Sequence, residues 1–119
     1  MVYDIHHSTN KIHMKQLFRI LQSIPVGKTV RVTITSSSME PTLLKSSSVV
    51  VTRSSLSTLI ADRIIAFYIE GMDKIVIHRI VQIKQDDHGM YALTHGDANI
   101  KNDPWIVREE QVIGVLENQ

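Results

Sequence analysis

Thr29-Val30-Arg31-Val32-Thr33-Ile34-Thr35 alternates branched apolar and polar side chains at every step. A period of two belongs to a pleated strand, whose side chains point to opposite faces in turn. Val30, Val32 and Ile34 are therefore read as the buried face of a half-buried strand. A polar break follows, Ser36-Ser37-Ser38-Met39-Glu40-Pro41-Thr42, and then a second short strand, Val49-Val50-Val51. Two longer strands are expected over 63–70 (Ile64, Ile65, Phe67, Ile69) and 74–84 (Ile75, Ile77, Val81, Ile83). Gly71-Met72-Asp73 reads as the hairpin turn between them. Asp86-Asp87-His88-Gly89 turns into a strand over 90–94, and after a loop over 95–104 the stretch 112–116 closes the sheet.

Composition agrees with a mainly β reading. Isoleucine (16), valine (12) and threonine (8) make β-branched residues 36 of the 119, the side chains that fit a pleated surface best. The length suits a single domain, 1–119, with an N-terminal arm and helix over 1–27 and a β core over 28–119. The absence of cysteine excludes disulfides, thiolate zinc sites and a cysteine nucleophile. A formal net charge of +1 supplies no strong basic field, and Tyr3, Tyr68, Tyr91, Phe18, Phe67 and Trp105 do not interleave with basic residues. Nucleic acid is not an expected partner.

Before the first strand the period is different. Met14, Leu17, Phe18 and Leu21 follow the i, i+3, i+4, i+7 spacing of one helical face, with Lys15, Gln16, Arg19 and Gln22 between them. Thr9 or Asn10 is the expected cap, and Pro25 with Gly27 the expected stop. This amphipathic segment is too short and too polar to cross a bilayer, and residues 1–13 lack the form of a secretory signal. The chain is expected to be cytoplasmic; the alternative is peripheral attachment to a membrane or an anchored partner through the 14–24 helix. The oligomeric state has no signature in the sequence.

Three places carry candidate chemistry. Ser38 ends the first strand beside a proline-stiffened turn, and Ser36, two residues earlier on extended backbone, points the same way. Such a pair can supply a nucleophile and an oxyanion donor, although from local composition alone a solvated serine loop is the commoner outcome. His78 lies within Ile75-Val76-Ile77-His78-Arg79-Ile80-Val81, sharing a face with Val76 and Ile80. There it is either a satisfied core histidine or a base kept neutral by burial. The loop 94–104 is rich in oxygen ligands, but an EF-hand frame starting at Asp97 puts Asn102 and Arg108 where glycine and glutamate are needed. Calcium in that mode is rejected. Asp97 or Asp103 can instead orient a histidine. His6, His7, His13 and His88 read as solvated, and no metal or cofactor is expected.

Taken in order, these pieces resemble the type I signal peptidase family, in particular its endoplasmic-reticulum-type branch. The family's Ser-Gly-Ser-Met-x-Pro-Thr-Leu box appears as Ser36-Ser37-Ser38-Met39-Glu40-Pro41-Thr42-Leu43. The His-Arg-Ile/Val-Val of the branch appears as His78-Arg79-Ile80-Val81. The Thr-Lys-Gly-Asp-Ala-Asn box is similar to Thr94-His95-Gly96-Asp97-Ala98-Asn99, followed by Asp103-Pro104 and Val112-Ile113-Gly114. The resemblance implies a coiled β-sheet fold shared with self-cleaving repressors and a serine endopeptidase that takes its substrate as an added strand. It also implies Ser38 as nucleophile, His78 as base, Asp103 or Asp97 as the orienting carboxylate, and Ser36 with the Ser38 N–H as oxyanion hole. The expected substrate is a precursor peptide or protein bearing a leader or signal-like segment. The alternative function is a catalytically inactive peptide-binding module. This chain departs from the pattern at Ser37, at Ser46-Ser47 and at Asp62-Arg63, where the family has glycine or Gly-Asp.

Overall fold

Residues 2–5 and 13–117 are described by a computed structural model of the chain. The alternating stretch forms strand β2 (Thr29–Thr33), with Val30 fully buried and Arg31 exposed on the opposite face. The other strands are β1 (Val2–Ile5), β3 (Ser48–Arg53), β4 (Ile64–Ile69), β5 (Lys74–Asp86), β6 (Gly89–His95), β7 (Val107–Arg108) and β8 (Val112–Leu116). Among the described residues they make one eight-stranded sheet in the order β1-β2-β3-β8-β4-β5-β6-β7. All neighbours are antiparallel except β1, which runs parallel to β2 with Val2 opposite Thr29 and Ile5 opposite Val32. The fold is mainly β with one short N-terminal helix, as the period-two reading requires.

The centre of the sheet is β4. All six of its residues are buried, because it lies between β8 and β5 and its two faces feed two separate cores. Ile64 and Ala66 pack with Leu21, Val30, Met39, Val51, Ile113 and Leu116. Ile65, Phe67 and Ile69 pack with Leu56, Ile80, Ala92 and Val107 on the other side. Truncating a ring such as Phe67 to alanine typically costs about 3–5 kcal/mol. At Gly114 of β8 the backbones close up: a Cβ there would lie 2.0 Å from the Thr52 carbonyl oxygen, so this strand passes β3 only because the residue is glycine.

Helix α1 (Met14–Gln22) starts after His13, which provides no side-chain cap; Thr9 and Asn10 lie outside the described residues, as do His6 and His7. The cap comes from another part of the chain. Asp73 accepts the Lys15 backbone N–H at 2.9 Å and the Tyr68 hydroxyl at 2.7 Å, occupying the anion-favouring end of the helix. At the other end the buried Arg53 guanidinium donates to the carbonyls of Gln22, Ile24 and Ile113, which satisfies helix C-terminal acceptors. Burial lowers the pKa of that guanidinium. The apolar stripe packs inward, with Leu21 buried and Leu17 and Phe18 against the first core.

Several local details go beyond the expectations. Residues 2–5, placed in the arm outside the β core, form strand β1. Strands β4 and β5 form the expected antiparallel hairpin, with Ile69 opposite Lys74, and their link is a 3₁₀ turn over Glu70–Met72 followed by Asp73 left-handed at φ 48°. Strand β7 and the 3₁₀ turns at Leu56–Thr58 and Glu109–Gln111 fall in stretches to which the sequence reading assigned no helix or strand. Both sites where the resemblance calls for glycine in a Gly-Asp turn keep the glycine-like backbone: Ser46 and Asp62 each have φ 74°. Ser37 does not adopt a positive φ.

Candidate active site

The turn that follows β2 and the first half of β5 meet at the site. Beyond β2 the chain continues through Ser36 to Ser38, and Ile34 is held to the adjoining turn by Ile34 N–H to the Ser47 carbonyl and Ser46 N–H to the Ile34 carbonyl, each 2.8 Å. His78 is the fifth residue of β5, opposite Ile65 of β4. The bent β5 pairs with β4 up to Arg79 and with β6 from Arg79 onward, with an irregularity between Ile80 and Gln82. This places His78 at the point where β5 changes partners. Its ring lies edge-on to Phe67, with centroids 6.4 Å apart.

The polar contacts form a directed chain. Ser38 Oγ lies 2.9 Å from His78 Nε2, and His78 Nδ1 lies 2.6 Å from Asp103 Oδ2. Both His78 and Asp103 side chains are nearly withdrawn from solvent, at 6% and 5% exposure. Thr94 Oγ1 donates to the same Asp103 oxygen at 2.7 Å and accepts from the Trp105 indole N–H at 3.2 Å. An indole N–H can only donate, so the threonine hydroxyl must spend its own proton on the carboxylate. The carboxylate then accepts from Nδ1 of His78, which leaves the Nε2 lone pair facing the serine hydroxyl. This assigns the tautomer from the donor inventory. Trp105 also lies over the His78 ring, with centroids 6.3 Å apart and planes within 20°.

With the Ser38 proton directed at Nε2, the 3.0 Å contact between the Ser36 and Ser38 hydroxyls must use the Ser36 proton. Ser36 thus presents a donor beside the nucleophilic oxygen. The Ser38 backbone N–H stands 3.4 Å from Ser36 Oγ, a weak contact that leaves this second donor available.

Of the two candidate carboxylates, Asp97 has a different set of partners. Arg79 grips it bidentately, Nε to Oδ1 at 2.9 Å and Nη2 to Oδ2 at 2.7 Å, and Thr42 donates to Oδ2 at 2.5 Å. The guanidinium holds the Asp97 carboxyl below its ordinary range. Arg79 also reaches the Asp62 carbonyl at 2.8 Å. Asp97 therefore ties the serine loop to β5, while Asp103 contacts the imidazole. The 95–103 loop is clamped to the serine as well: Ala98 N–H donates to the Ser38 carbonyl at 2.9 Å. A Cβ on Gly96 would lie 2.8 Å from that carbonyl oxygen and 3.0 Å from His78 Nε2, so the approach requires glycine.

Thr94, Trp105, Arg79, Thr42 and Gly96 complete this arrangement, and none was singled out as a site residue from the sequence. Four of them sit inside the quoted boxes. Trp105 follows the Asp103-Pro104 pair directly, and its role depends on a contact that no spacing announces.

The site opens into a mostly apolar groove of about 610 Å³. Its walls are Val32–Ser36 and Lys74–His78, and Met14, Leu17 and Met72 lie at the far end. Among the described residues no strand lies along the outer edge of β5 before Arg79, nor along the outer edge of the β2 segment after Val32.

The chain is 31% identical over 81 residues to the signal peptidase complex catalytic subunit SEC11C of Homo sapiens, and to the SEC11C proteins of Mus musculus and Canis lupus familiaris. The aligned stretch covers 67% of this chain and 42% of each relative, so the chain matches less than half the length of these relatives. No family model matches it. Among the described residues no helix is long and apolar enough to cross a membrane.

Proposed function

The chain is a distant homologue of the signal peptidase complex catalytic subunit, and on that premise we propose that it is a serine endopeptidase that removes a leader or signal-like segment from a precursor peptide or protein. The observation that carries the reading is the line Ser38 Oγ–His78 Nε2 at 2.9 Å and His78 Nδ1–Asp103 Oδ2 at 2.6 Å. Nucleophile, base and orienting carboxylate are all within hydrogen-bond reach, in the required order.

In the reaction an extended peptide enters the groove and adds main-chain hydrogen bonds to its open strand edges. Ser38 Oγ attacks the scissile carbonyl as His78 Nε2 takes its proton. Asp103, held by Thr94, keeps the imidazole in place and offsets its positive charge. The Ser38 N–H and the Ser36 hydroxyl turn onto the oxyanion. The tetrahedral species collapses, His78 gives the proton to the departing amine, and an acyl ester remains on Ser38. Water, deprotonated by the same imidazole, cleaves the ester and restores the serine hydroxyl.

The test is cleavage of a set of precursor peptides by the purified protein and by Ser38→Ala and His78→Ala. Each variant is expected to lose about 10³-fold or more in kcat. Equal cleavage by all three proteins would remove the mechanism.

A further inference from the structure

We propose that His95, in its doubly protonated form, is a positioning residue that holds the loop carrying Asp103 against His78. This rests on the endopeptidase reading of Ser38 and His78 and adds a pH-dependent regulation of that site, which works while His78 is neutral and His95 is charged.

The loop over 95–103 is fixed at its two ends and spans a gap between them. On the serine side Asn99 N–H donates to the Gly96 carbonyl and Ala98 N–H to the Ser38 carbonyl, each at 2.9 Å. On the carboxylate side Asp103 N–H donates to the Thr94 carbonyl at 2.9 Å. Ala98 to Asn102 are all exposed, Ile100 at 97%, so no buried side chain anchors the stretch that leads into Asp103. His95, the last residue of β6, bridges the gap with its ring. Its Nε2 lies 2.6 Å from the Asn99 carbonyl oxygen and its Nδ1 2.9 Å from Asn102 Oδ1. Asn102 directly precedes Asp103, so the imidazole ties the serine side of the loop to the backbone that carries the orienting carboxylate.

A carbonyl oxygen only accepts, so Nε2 carries a hydrogen, and the Asn102 oxygen facing Nδ1 calls for a second one. The imidazolium alone satisfies both. The charges facing the ring agree with it. Asp97 and Asp103 present carboxylates from the same loop, and Arg79, its partner across the ladder on β5, has its guanidinium committed to Asp97. The Asn99 carbonyl and then the Asn102 side chain raise the imidazole pKa, partial burial opposes them, and the Asp103 and Asp97 charges add to the rise. On deprotonation one N–H remains for the Asn99 carbonyl, while Nδ1 turns a lone pair toward the Asn102 oxygen. The amide must then rotate or withdraw, and charge-assisted bonds, about twice as strong as neutral ones, are lost. The attraction to Asp103 goes with them. The loop loosens beside Asp103, and a carboxylate out of place by about an ångström leaves His78 poorly held.

The experiment measures kcat and KM of the full chain for a precursor peptide from the cleavage set, from about pH 5 to about pH 9, in wild type, His95→Lys and His95→Gln. Lysine stays charged over this range and glutamine never is. Above the ordinary histidine value of about 6.5, wild-type kcat is expected to fall by about three- to tenfold as His95 loses its proton, with KM unchanged. His95→Lys is expected to hold its kcat across the same range, and His95→Gln to show the lower level with no fall. The same alkaline fall in either variant, or none in wild type, overturns the proposal. If wild type cuts no member of the set at any pH, the endopeptidase reading fails by itself, and the readout becomes the imidazole ¹⁵N and N–H proton shifts of the full chain. A His78 Nδ1–H signal that shifts or broadens as His95 titrates in wild type, and stays fixed in His95→Lys, then supports the positioning role. A His78 signal that does not respond to His95 overturns it.

Discussion

Asp103 Oδ2 stands 2.6 Å from His78 Nδ1, while Asp97, six residues earlier on the same loop, is held by Arg79 through two hydrogen bonds. The two carboxylates therefore carry different predictions. Asp103→Asn is expected to fold normally and to lose about 10²–10⁴ in kcat, because the amide no longer holds the imidazole in the tautomer that leaves Nε2 free. Asp97→Asn is expected to lower thermal stability, since it strips the partly buried Arg79 of its partner. Parallel kcat and Tm measurements on both variants check this. A Tm loss in Asp103→Asn equal to that in Asp97→Asn would contradict it.

The indole and the threonine should act through the carboxylate. Thr94→Val removes the proton given to Asp103, and Trp105→Phe keeps a ring over His78 but removes the N–H. Thr94→Val is expected to lower kcat by about tenfold or more with little change in KM, and Thr94→Ser to restore most of it. Imidazole ¹⁵N shifts provide the decisive readout. In wild type Nδ1 of His78 should carry the proton, and in both Thr94→Val and Trp105→Phe a mixture of tautomers should appear.

Gly96→Ala is expected to be disproportionately harmful for one methyl group. The added Cβ meets Asn99 Nδ2 at 2.7 Å, the Ser38 carbonyl oxygen at 2.8 Å and His78 Nε2 at 3.0 Å. The backbone contact cannot swing aside, so the loop must shift away from the serine. A stability loss of about 1–3 kcal/mol is expected from the overpacking, and misplacement by an ångström can cost about 10² in rate. Denaturant unfolding and kcat/KM measure the two effects separately.

The left-handed turns give the opposite kind of substitution. Ser46 and Asp62 both hold φ 74°, a conformation that costs an L side chain about 1–2 kcal/mol, partly offset by the greater freedom glycine has when unfolded. Ser46→Gly and Asp62→Gly should each raise stability by about 0.5–1 kcal/mol. The bonds that fix these turns come from the backbone, Ser46 N–H to the Ile34 carbonyl and Asp62 N–H to the Ile80 carbonyl, each 2.8 Å, and glycine keeps them. Midpoints of urea unfolding test the gain; a loss in either variant would contradict it.

Stability should fall on both sides of neutrality, for groups of opposite sign. Asp97 beside Arg79 and Asp73 beneath the Tyr68 hydroxyl both have lowered carboxyl pKa values. Their contributions are present above the ordinary aspartate value of about 3.9 and are lost as pH falls through the lowered folded values. His95 behaves inversely. The Asn99 carbonyl and then the Asn102 side chain, at 2.6 and 2.9 Å from its two ring nitrogens, raise its pKa. Its contribution is complete below the ordinary histidine value of about 6.5 and fades as pH rises through the raised one. Hydrogen exchange of the 96–103 amides should therefore show weaker protection at high pH, and a His95→Gln variant should lack that dependence.

The strands were legible where side-chain period or apolar run length encodes them: β2 by alternation, β4 by the apolar run from Ile64 to Ile69, β5 and β6 by the turn at 86–89. Strand β1 was not, because four residues carry no period and its pairing with β2 bridges more than twenty positions of chain. The cap of α1 was sought just upstream of it, whereas Asp73, 58 residues from Lys15, supplies it. Ser38, His78 and Asp103 were nameable from their boxes. The choice between Asp97 and Asp103 was not, since both lie on one loop and only the tertiary position of Arg79 separates them. The turn glycines of the resemblance are replaced at Ser46 and Asp62, yet the positive φ persists, with backbone bonds to Ile34 and Ile80 holding the conformation.

The central claim, that Ser38 is a nucleophile activated by His78, is tested most directly by treating the protein with a serine-acylating probe and locating the adduct by mass spectrometry. One equivalent on Ser38 in wild type is expected, with labelling at least about 10²-fold slower in a folded His78→Ala variant. Absence of label, label on Ser36 or Ser37 instead, or equal labelling rates in wild type and His78→Ala would contradict the account.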